Sequence, residues 1–458
     1  MTQIPHHTAP SRGNMPVADA MTYLLSEVKR LGADAADILA VEGTDISVAV
    51  RQGKTETVQR SESGGLGLRV LVGKRQAMVS VSDSMEQTLS ELATHAVAMA
   101  RAVPEDPFVQ IADEALWAKH IPALDLYDAY EPDIATLTAQ AAETETIALA
   151  NAGITNSEGA EAGYGKSTIW LANSYGFMQS YPTSFSSLSV SVLAGEGEGM
   201  ERDYAYHTVR HREDLRSPKI IADEAVRRTL ARLHPKQPTT AQLPVVFEPR
   251  VSKNIVGVLV SAINGASVAR GTSFLKDAMA QSLFGKAVTI INDPHRIRGV
   301  GSRPFDAEGL ACTERALIDE GVLTGWLLDL RSANQLGLTS TGNASRGLGS
   351  APHPSAHNVY MQKGVQTPDE MIGQIKQGFY VTETFGSGVN LVTGDYSQGA
   401  AGFWIENGVI SYPVNELTIA GNLRDMFMQL TPANDLVFEY QTNAPTVRID
   451  GMMIAGKS

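Results

Sequence analysis

The apolar positions in the first half of the chain switch between two periods. From Met15 to Leu31, the residues Val17, Met21, Leu24, Leu25, Val28 and Leu31 fall at helical spacing, which predicts an amphipathic helix ended by Gly32. The period then drops to two. Ile46, Val48 and Val50 alternate with small or polar neighbours, Leu66, Leu68, Val70 and Val72 do so again, and Met78 to Val81 closes the set. That is the pattern of a half-buried antiparallel sheet. Helical spacing returns from Ser84 to Ala100, through Leu89, Leu92, Ala96 and Met99, and again in the alanine-rich stretch Ile134 to Leu149. Both helices are expected to lie on the sheet. Ile154 to Leu193 alternates once more, with serine and threonine on its polar faces, and Lys219 to Leu233 predicts a further helix.

Residues 234–244 hold Pro235, Pro238 and Pro244 and no apolar period, which makes them the best boundary in the chain. The expected fold class is α+β. Residues 1–238 would form an N-terminal α/β domain with an antiparallel sheet and packed helices, and residues 239–458 a β-rich C-terminal domain. In the second, Val245-Val246-Phe247 reads as a short strand and Val251 to Val268 as one buried helix. The rest reads as mostly short strands between Gly, Asn and Asp-Pro turns. No repeat of fixed period is visible, so solenoid folds are set aside.

At 458 residues, 43% hydrophobic and 19% charged, the chain has room for two or three ordinary globular domains. A net charge of -13 without any basic run argues against nucleic acid as a partner. The first sixteen residues lack the apolar core of a signal peptide, and no run of eighteen apolar residues exists for a membrane span, so a cytoplasmic protein is expected. One cysteine, Cys312, excludes an internal disulfide. It lies in a strand-like alternation and reads as a small core residue.

The densest chemistry lies between Gly378 and Gly421, where glycines recur among strand-forming residues. Glycine lets backbone approach backbone or ligand closely, as a groove for an extended chain requires. The segments Tyr380-Val381-Thr382-Glu383-Thr384, Gly394-Asp395-Tyr396-Ser397-Gln398-Gly399-Ala400, Phe403 to Gly408 and Tyr412 to Asn422 resemble the TldD/TldE (PmbA) family, nearer to its TldE/PmbA side. Members are paired subunits of a bacterial and archaeal zinc peptidase, once described as a modulator of DNA gyrase. Weaker likeness covers nearly the whole chain, including Gly64-Gly65-Leu66-Gly67-Leu68-Arg69-Val70 and Arg303-Pro304-Phe305-Asp306 with Gly309.

In the family's catalytic partner, a His-Glu-x-x-x-His helix supplies two zinc ligands and a general base. Zinc hydrolysis needs about three fixed N, O or S ligands and an open position. Aligned on the apolar turn Gly257 to Val260, Ser261 and Ala266 take the histidine places here and Ala262 the glutamate place, and no histidine lies between His234 and His295. The resemblance therefore implies a subunit without metal of its own, with zinc in a TldD-like partner. The pair would be a heterodimer or higher assembly, with a homodimer as the other arrangement, acting on unfolded peptides with no nucleic acid or membrane involved.

Thr382, Glu383, Thr384, Ser387, Asn390, Asp395, Tyr396 and Ser397 are the expected substrate-binding wall or support residues, with Gly386, Gly388, Gly394 and Gly399 setting the backbone path. Strand addition would bind such peptides through main-chain hydrogen bonds. Two other readings stand beside this one. His207 and His211, with Glu201, Asp203 or Glu213, have spacing for a non-standard metal site that would make the chain a peptidase alone. A binding protein acting on gyrase without proteolysis is the other. His353 and His357 share that spacing, but Pro354 points to a loop. Gly386-Ser387-Gly388 is the nearest approach to a nucleophile elbow and lies in a turn-rich segment.

Overall fold

The computed structural model describes residues 14–456. The reading of the first sixteen residues as free of a signal-peptide core falls largely on residues 1–13, outside the described residues. Helix α1 (Val17–Arg30) buries Ala20, Met21, Leu24 and Val28, and Gly32 turns the chain out of it with φ +91, a conformation that needs no Cβ. Strands β1 (Ala35–Arg51), β2 (Lys54–Val72) and β3 (Arg75–Val81) follow as an antiparallel meander, then α2 (Glu86–Ala102) and α3 (Ile134–Leu149). The long strands β4 (Ile154–Asn173), β5 (Met178–Ala194) and β6 (Glu201–Val209) precede α4 (Pro218–Ala231). These strands make one six-stranded antiparallel sheet in the order β3-β2-β1-β4-β5-β6.

The pleat sorts its two faces. Even-numbered β1 residues meet the helices: Ile38 and Ala40 pack with α1 and α2, while Ile46, Val48 and Val50 pack with α3 and α4. Odd-numbered residues such as Asp37 and Leu39 face the second half of the chain.

That half comprises β7 (Ala241–Phe247), α5 (Pro249–Ala262), α6 (Gly265–Ala269), β8 (Ile290–Asp293), β9 (Arg315–Asp319), β10 (Val322–Leu323) and α7 (Leu330–Leu336). It continues through β11 (Ala344–Ser345), β12 (His353–Pro354), β13 (Asn358–Met361), α8 (Pro368–Gly373), β14 (Gln377–Phe385), β15 (Asp395–Glu406) and β16 (Val409–Asn422). The last elements are α9 (Leu423–Met428), β17 (Leu430–Pro432), β18 (Thr442–Asn443) and β19 (Val447–Ala455). One sheet runs β16-β15-β14-β7-β19-β17, and because β16 also pairs with β19, five of its strands close on themselves. A second sheet, β10-β9-β8-β13-β18, lies across α5. The helices α1 to α4 and the strands of the first half match the periodicity of the sequence.

Two details differ from the sequence expectation. The helix over Val251 to Val268 is broken, because Asn264 turns its side chain to accept from Ala266 N at 3.0 Å and starts α6 afresh. Cys312 is buried but precedes β9 in irregular backbone, its thiol donating to Gly342 O at 3.2 Å. The β-rich region is mostly short strands, as expected, with β15 and β16 longer than the rest. No helix among the described residues is long and apolar enough to cross a membrane.

The two halves are joined by buried charge. Arg69 Nε donates to Asp37 Oδ2 at 3.0 Å, Arg346 pairs with the other carboxylate oxygen, and Arg69 Nη2 lies 3.8 Å from Glu308 Oε1. Burial alone would raise the Asp37 carboxyl, but the charges of Arg346 and Arg69 outweigh it and hold the group below its ordinary value. Above this network the chain around Leu348 lies against β2. A Cβ on Gly67 would meet Leu348 O at 2.0 Å, so only glycine fits there.

Asp37→Ala would leave two buried guanidinium groups without their carboxylate. It is expected to lower the unfolding free energy by about 3–5 kcal/mol in urea titrations at neutral pH. A loss below about 1 kcal/mol, the scale of an exposed pair, would contradict the network's role. Since the folded carboxyl titrates below its ordinary value of 3.8, its contribution is complete above that pH and is lost as pH falls through the folded value.

Candidate functional site

Helix α5 has two unlike faces. Val251, Ile255, Val256, Leu259 and Ala262 are buried against the core, with Pro249 in the first turn, where its missing N–H costs nothing. On the other side Lys253, Asn254, Gly257, Val258 and Ser261 floor a cleft of about 620 Å³. Tyr206 of β6, Val389 and Leu391 of the β14–β15 connection, and Tyr440 to Thr442 form its walls. A Cβ on Gly257 would meet nothing within 4 Å, so that stretch of floor is bare. Ser261 Oγ is already bonded back to Gly257 O at 2.9 Å. Of the three positions aligned with the zinc motif, Ser261 is exposed, Ala262 is fully buried, and Ala266 belongs to the separate helix α6.

Asn254 also lines a smaller recess of about 110 Å³, where Thr382, Glu383 and Thr384 of β14 meet β6. Its charges are paired internally. Arg232 Nη1 donates to Glu383 Oε2 at 2.6 Å, and Arg250 forks onto both Asp203 oxygens at 2.7 and 3.0 Å. Burial would raise the Asp203 carboxyl, but hydrogen bonds and charge from Arg250 bring it down. Thr382 is buried, its hydroxyl 3.5 Å from Ala401 O.

The remaining sequence-selected residues shape the nine-residue connection between β14 and β15. Gly386 has φ +93 and Gly394 φ +85. Ser397 N donates to Gly388 O at 2.7 Å, and a Cβ on Gly388 would lie 1.6 Å from Ser397 O. Asn390 Oδ1 accepts from Val392 N at 2.9 Å, and Asp395 accepts from Thr393 Oγ1 at 2.6 Å. Tyr396 is buried in the core behind this connection, Ser387 is exposed on it, and Gly399 lies under the Phe385 ring. Together these contacts hold Val389 and Leu391 against the cleft.

The histidines are dispersed. His207 Nδ1 accepts from Arg216 N at 3.2 Å, while His211 Nε2 lies 3.0 Å from Asp125 O. The carboxylates considered with them are held by arginines: Glu201 by Arg232, Asp203 by Arg250, and Glu213 by Arg298. Among the described residues no three His, Cys, Asp or Glu side chains are grouped to hold a metal ion. His353 is exposed in β12. His357 is in a loop yet buried, its Nδ1 facing the amide groups of Asn292 and Asn343, both at 3.2 Å. The Asn292 oxygen is taken by His357 N, so that amide donates and the ring carries its proton on Nε2, toward Cys312. Burial takes the imidazole down to about 3 and pushes the Cys312 thiol well up.

Sequence reasoning did not single out Lys253, Tyr206 or Tyr440. Lys253 Nζ lies 3.2 Å from the Tyr440 ring centroid and donates to Tyr206 OH at 3.3 Å. Burial lowers its ammonium to about 8, with Glu439 acting the other way. The alternation that puts Tyr204 and Tyr206 on one face of β6 was the available signal, but nothing in the sequence ties them to Tyr440.

Three family models match the chain: PmbA/TldA metallopeptidase domain 1 over residues 36–100, the central domain over 127–233 and the C-terminal domain over 240–456. The metalloprotease PmbA of Escherichia coli O157:H7 is 38% identical over 428 residues, which is 93% of each chain. A crystal structure of a putative modulator of DNA gyrase from Bacteroides thetaiotaomicron superposes with TM-score 0.87 at 25% identity, covering 96% of this chain and 99% of that one. TldE from Thermococcus kodakarensis shares the fold, with TM-score 0.85 at 20% identity over 95% of this chain and 100% of its own.

Lys253 is expected to titrate near 8 by carbon NMR of the reductively methylated protein, with that resonance missing in Lys253→Met. If every lysine titrated near its ordinary value of 10.5, the placement of Lys253 would be wrong. Folding penalises the charged form, so the penalty is complete below the folded value and vanishes above 10.5. Stability should therefore gain from this group as pH rises between the two, and that gain should disappear in Lys253→Met.

Proposed function

The chain belongs to the PmbA/TldA metallopeptidase family, and from that premise we propose that it is the metal-free, TldE-like subunit of a two-subunit zinc peptidase. The observation that carries this reading is the floor of the α5 cleft. Where zinc hydrolysis needs imidazole and carboxylate donors, this face presents Gly257, a hydroxyl already bonded within the helix, and an ammonium group. These residues do not fit a zinc ion, and Ala262, at the place of the general base, is turned into the core.

The cleft suits a different task. Its length continues past Asn254 into the Thr382–Thr384 recess, and Tyr206 also lines a third depression along β4 and β5, so the surface favours an extended chain over a folded one. In this proposal an unfolded peptide lies between α5 and the connection carrying Val389 and Leu391. Thr382, Glu383 and Thr384 line one end, with Gly386, Ser387, Gly388 and Asn390 in the wall itself. Gly394, Asp395, Tyr396, Ser397 and Gly399 brace that wall from behind. A zinc-bearing TldD-like subunit would complete the groove from its open side and supply the hydrolytic chemistry, in the cytoplasm.

The test is reconstitution. An unstructured peptide is incubated with this chain, with a relative carrying the His-Glu-x-x-x-His helix, and with both. Cleavage is expected only in the mixture. Cleavage by this chain alone would overturn the proposal. So would tagged chain that captures gyrase from lysate but never binds the zinc-motif relative.

A further inference from the structure

A second cavity, of about 260 Å³, lies between the two halves of the chain on the sheet face away from the helices. One side is apolar, with Leu39 and Val41 of β1 facing Leu171 and Ile169 of β4 across the ladder. The other side comes from the Arg303-Pro304-Phe305-Asp306 segment and from Arg346. The Phe305 ring is fixed edge-on to Tyr181 and Phe177 at 5.4 and 5.5 Å.

Three guanidinium groups line this space, and they are not equivalent. Arg210 is saturated, donating to Ser184 O at 3.1 Å, to Gly299 O at 3.4 Å, and to Thr183 Oγ1 and Val300 O. Arg346 is tied to Asp37, with Nε and Nη2 buried and unpartnered among the described residues. Arg303 makes no side-chain hydrogen bond or ion pair with any described residue, although it lines the cavity and is half-buried. The one lining carboxylate, Asp306, is spent on backbone: its oxygens accept from Glu308 N and Leu310 N, both at 2.9 Å, and from Ala344 N at 3.0 Å.

We infer that this cavity is a binding site for a small organic carboxylate, with Arg303 as its charge partner and the Leu39, Val41, Ile169 and Leu171 wall receiving the apolar body. A guanidinium presents a planar fork of donors that matches a carboxylate, and leaving those donors unmet in a cavity costs free energy. The volume equals roughly nine waters at about 30 Å³ each, room for an acid of a few carbons or one ring. Net charge agrees, since three guanidinium groups line the cavity while Asp37 offsets only Arg346 and burial lifts Asp306 to about 6. Gln441 borders both this cavity and the α5 cleft.

The experiment is calorimetric titration of the purified full chain at constant ionic strength. Benzoate and butyrate are the probes, benzamide and butyramide the neutral isosteres, and inorganic phosphate the anion without an apolar body. Benzoate or butyrate should bind at one saturable site, about tenfold or more tighter than its amide or phosphate, as expected for charge-assisted hydrogen bonds. Arg303→Met should remove that preference. Val41→Trp, which fills the cavity with Arg303 intact, should remove binding altogether. The inference is overturned if the acids bind no better than their amides, if phosphate matches them, or if no saturable binding occurs and the cavity holds water only. The comparison of acid with amide is made on the unaltered chain, so the result does not depend on either variant folding.

Discussion

The α5 cleft, the Thr382–Thr384 recess and the cavity beside Arg303 are each built from both halves of the chain, so the constraint that matters first is what holds them in register. That constraint is the buried carboxylate of Asp37, bracketed by Arg69 from the neighbouring strand and Arg346 from across the junction. Removing charges from water is expensive, and such a group is tolerated only when its partners are fixed. The glycines of β2 serve the same end, because they let the backbone at Leu348 lie directly on the sheet. With this junction in place, Tyr206 from the first sheet stands opposite α5 and Tyr440 from the second half. The cavity beside Arg303 exists for the same reason.

Helix α5 then determines what the cleft can do. Its inner face is continuous with the core, so the helix is fixed, while its outer face is short of side chains where a hydrolytic centre would need them. A bare floor with aromatic walls and one partly desolvated ammonium can hold and orient a chain. Among the described residues no three His, Cys, Asp or Glu side chains are grouped to hold a metal ion. The break at Asn264 adds to this, since the places aligned with the two histidines lie on separate helices.

Much of the architecture was legible in the sequence, for a physical reason. Each helix of the first half has one face in water and one on the core, and the strands set alternate residues against those helices, so the period survives in the order of residues, and α3 emerges with the bounds its apolar spacing predicted. The Asn264 break was invisible because Ile263 and Val268 continue the apolar run through the cap. Cys312 mimicked a strand since loop residues packed on a core also alternate. In the glycine-rich block, residue types pointed to a shaped connection, but only the fold sets Asn390 at the turn that follows it, Asp395 at the start of β15 and Tyr396 in the interior. The walls contributed by Lys253, Tyr206 and Tyr440 depend on long-range packing, which leaves no local signature.

In the proposed role this polypeptide lends a surface to peptide hydrolysis without holding the metal. The most direct measurement is the zinc content of the chain purified alone, taken by mass spectrometry after equilibration with excess zinc and desalting. Zinc far below one ion per chain is the predicted result. One tightly retained ion per chain, surviving desalting and lost on mutation of its ligands, would contradict the account.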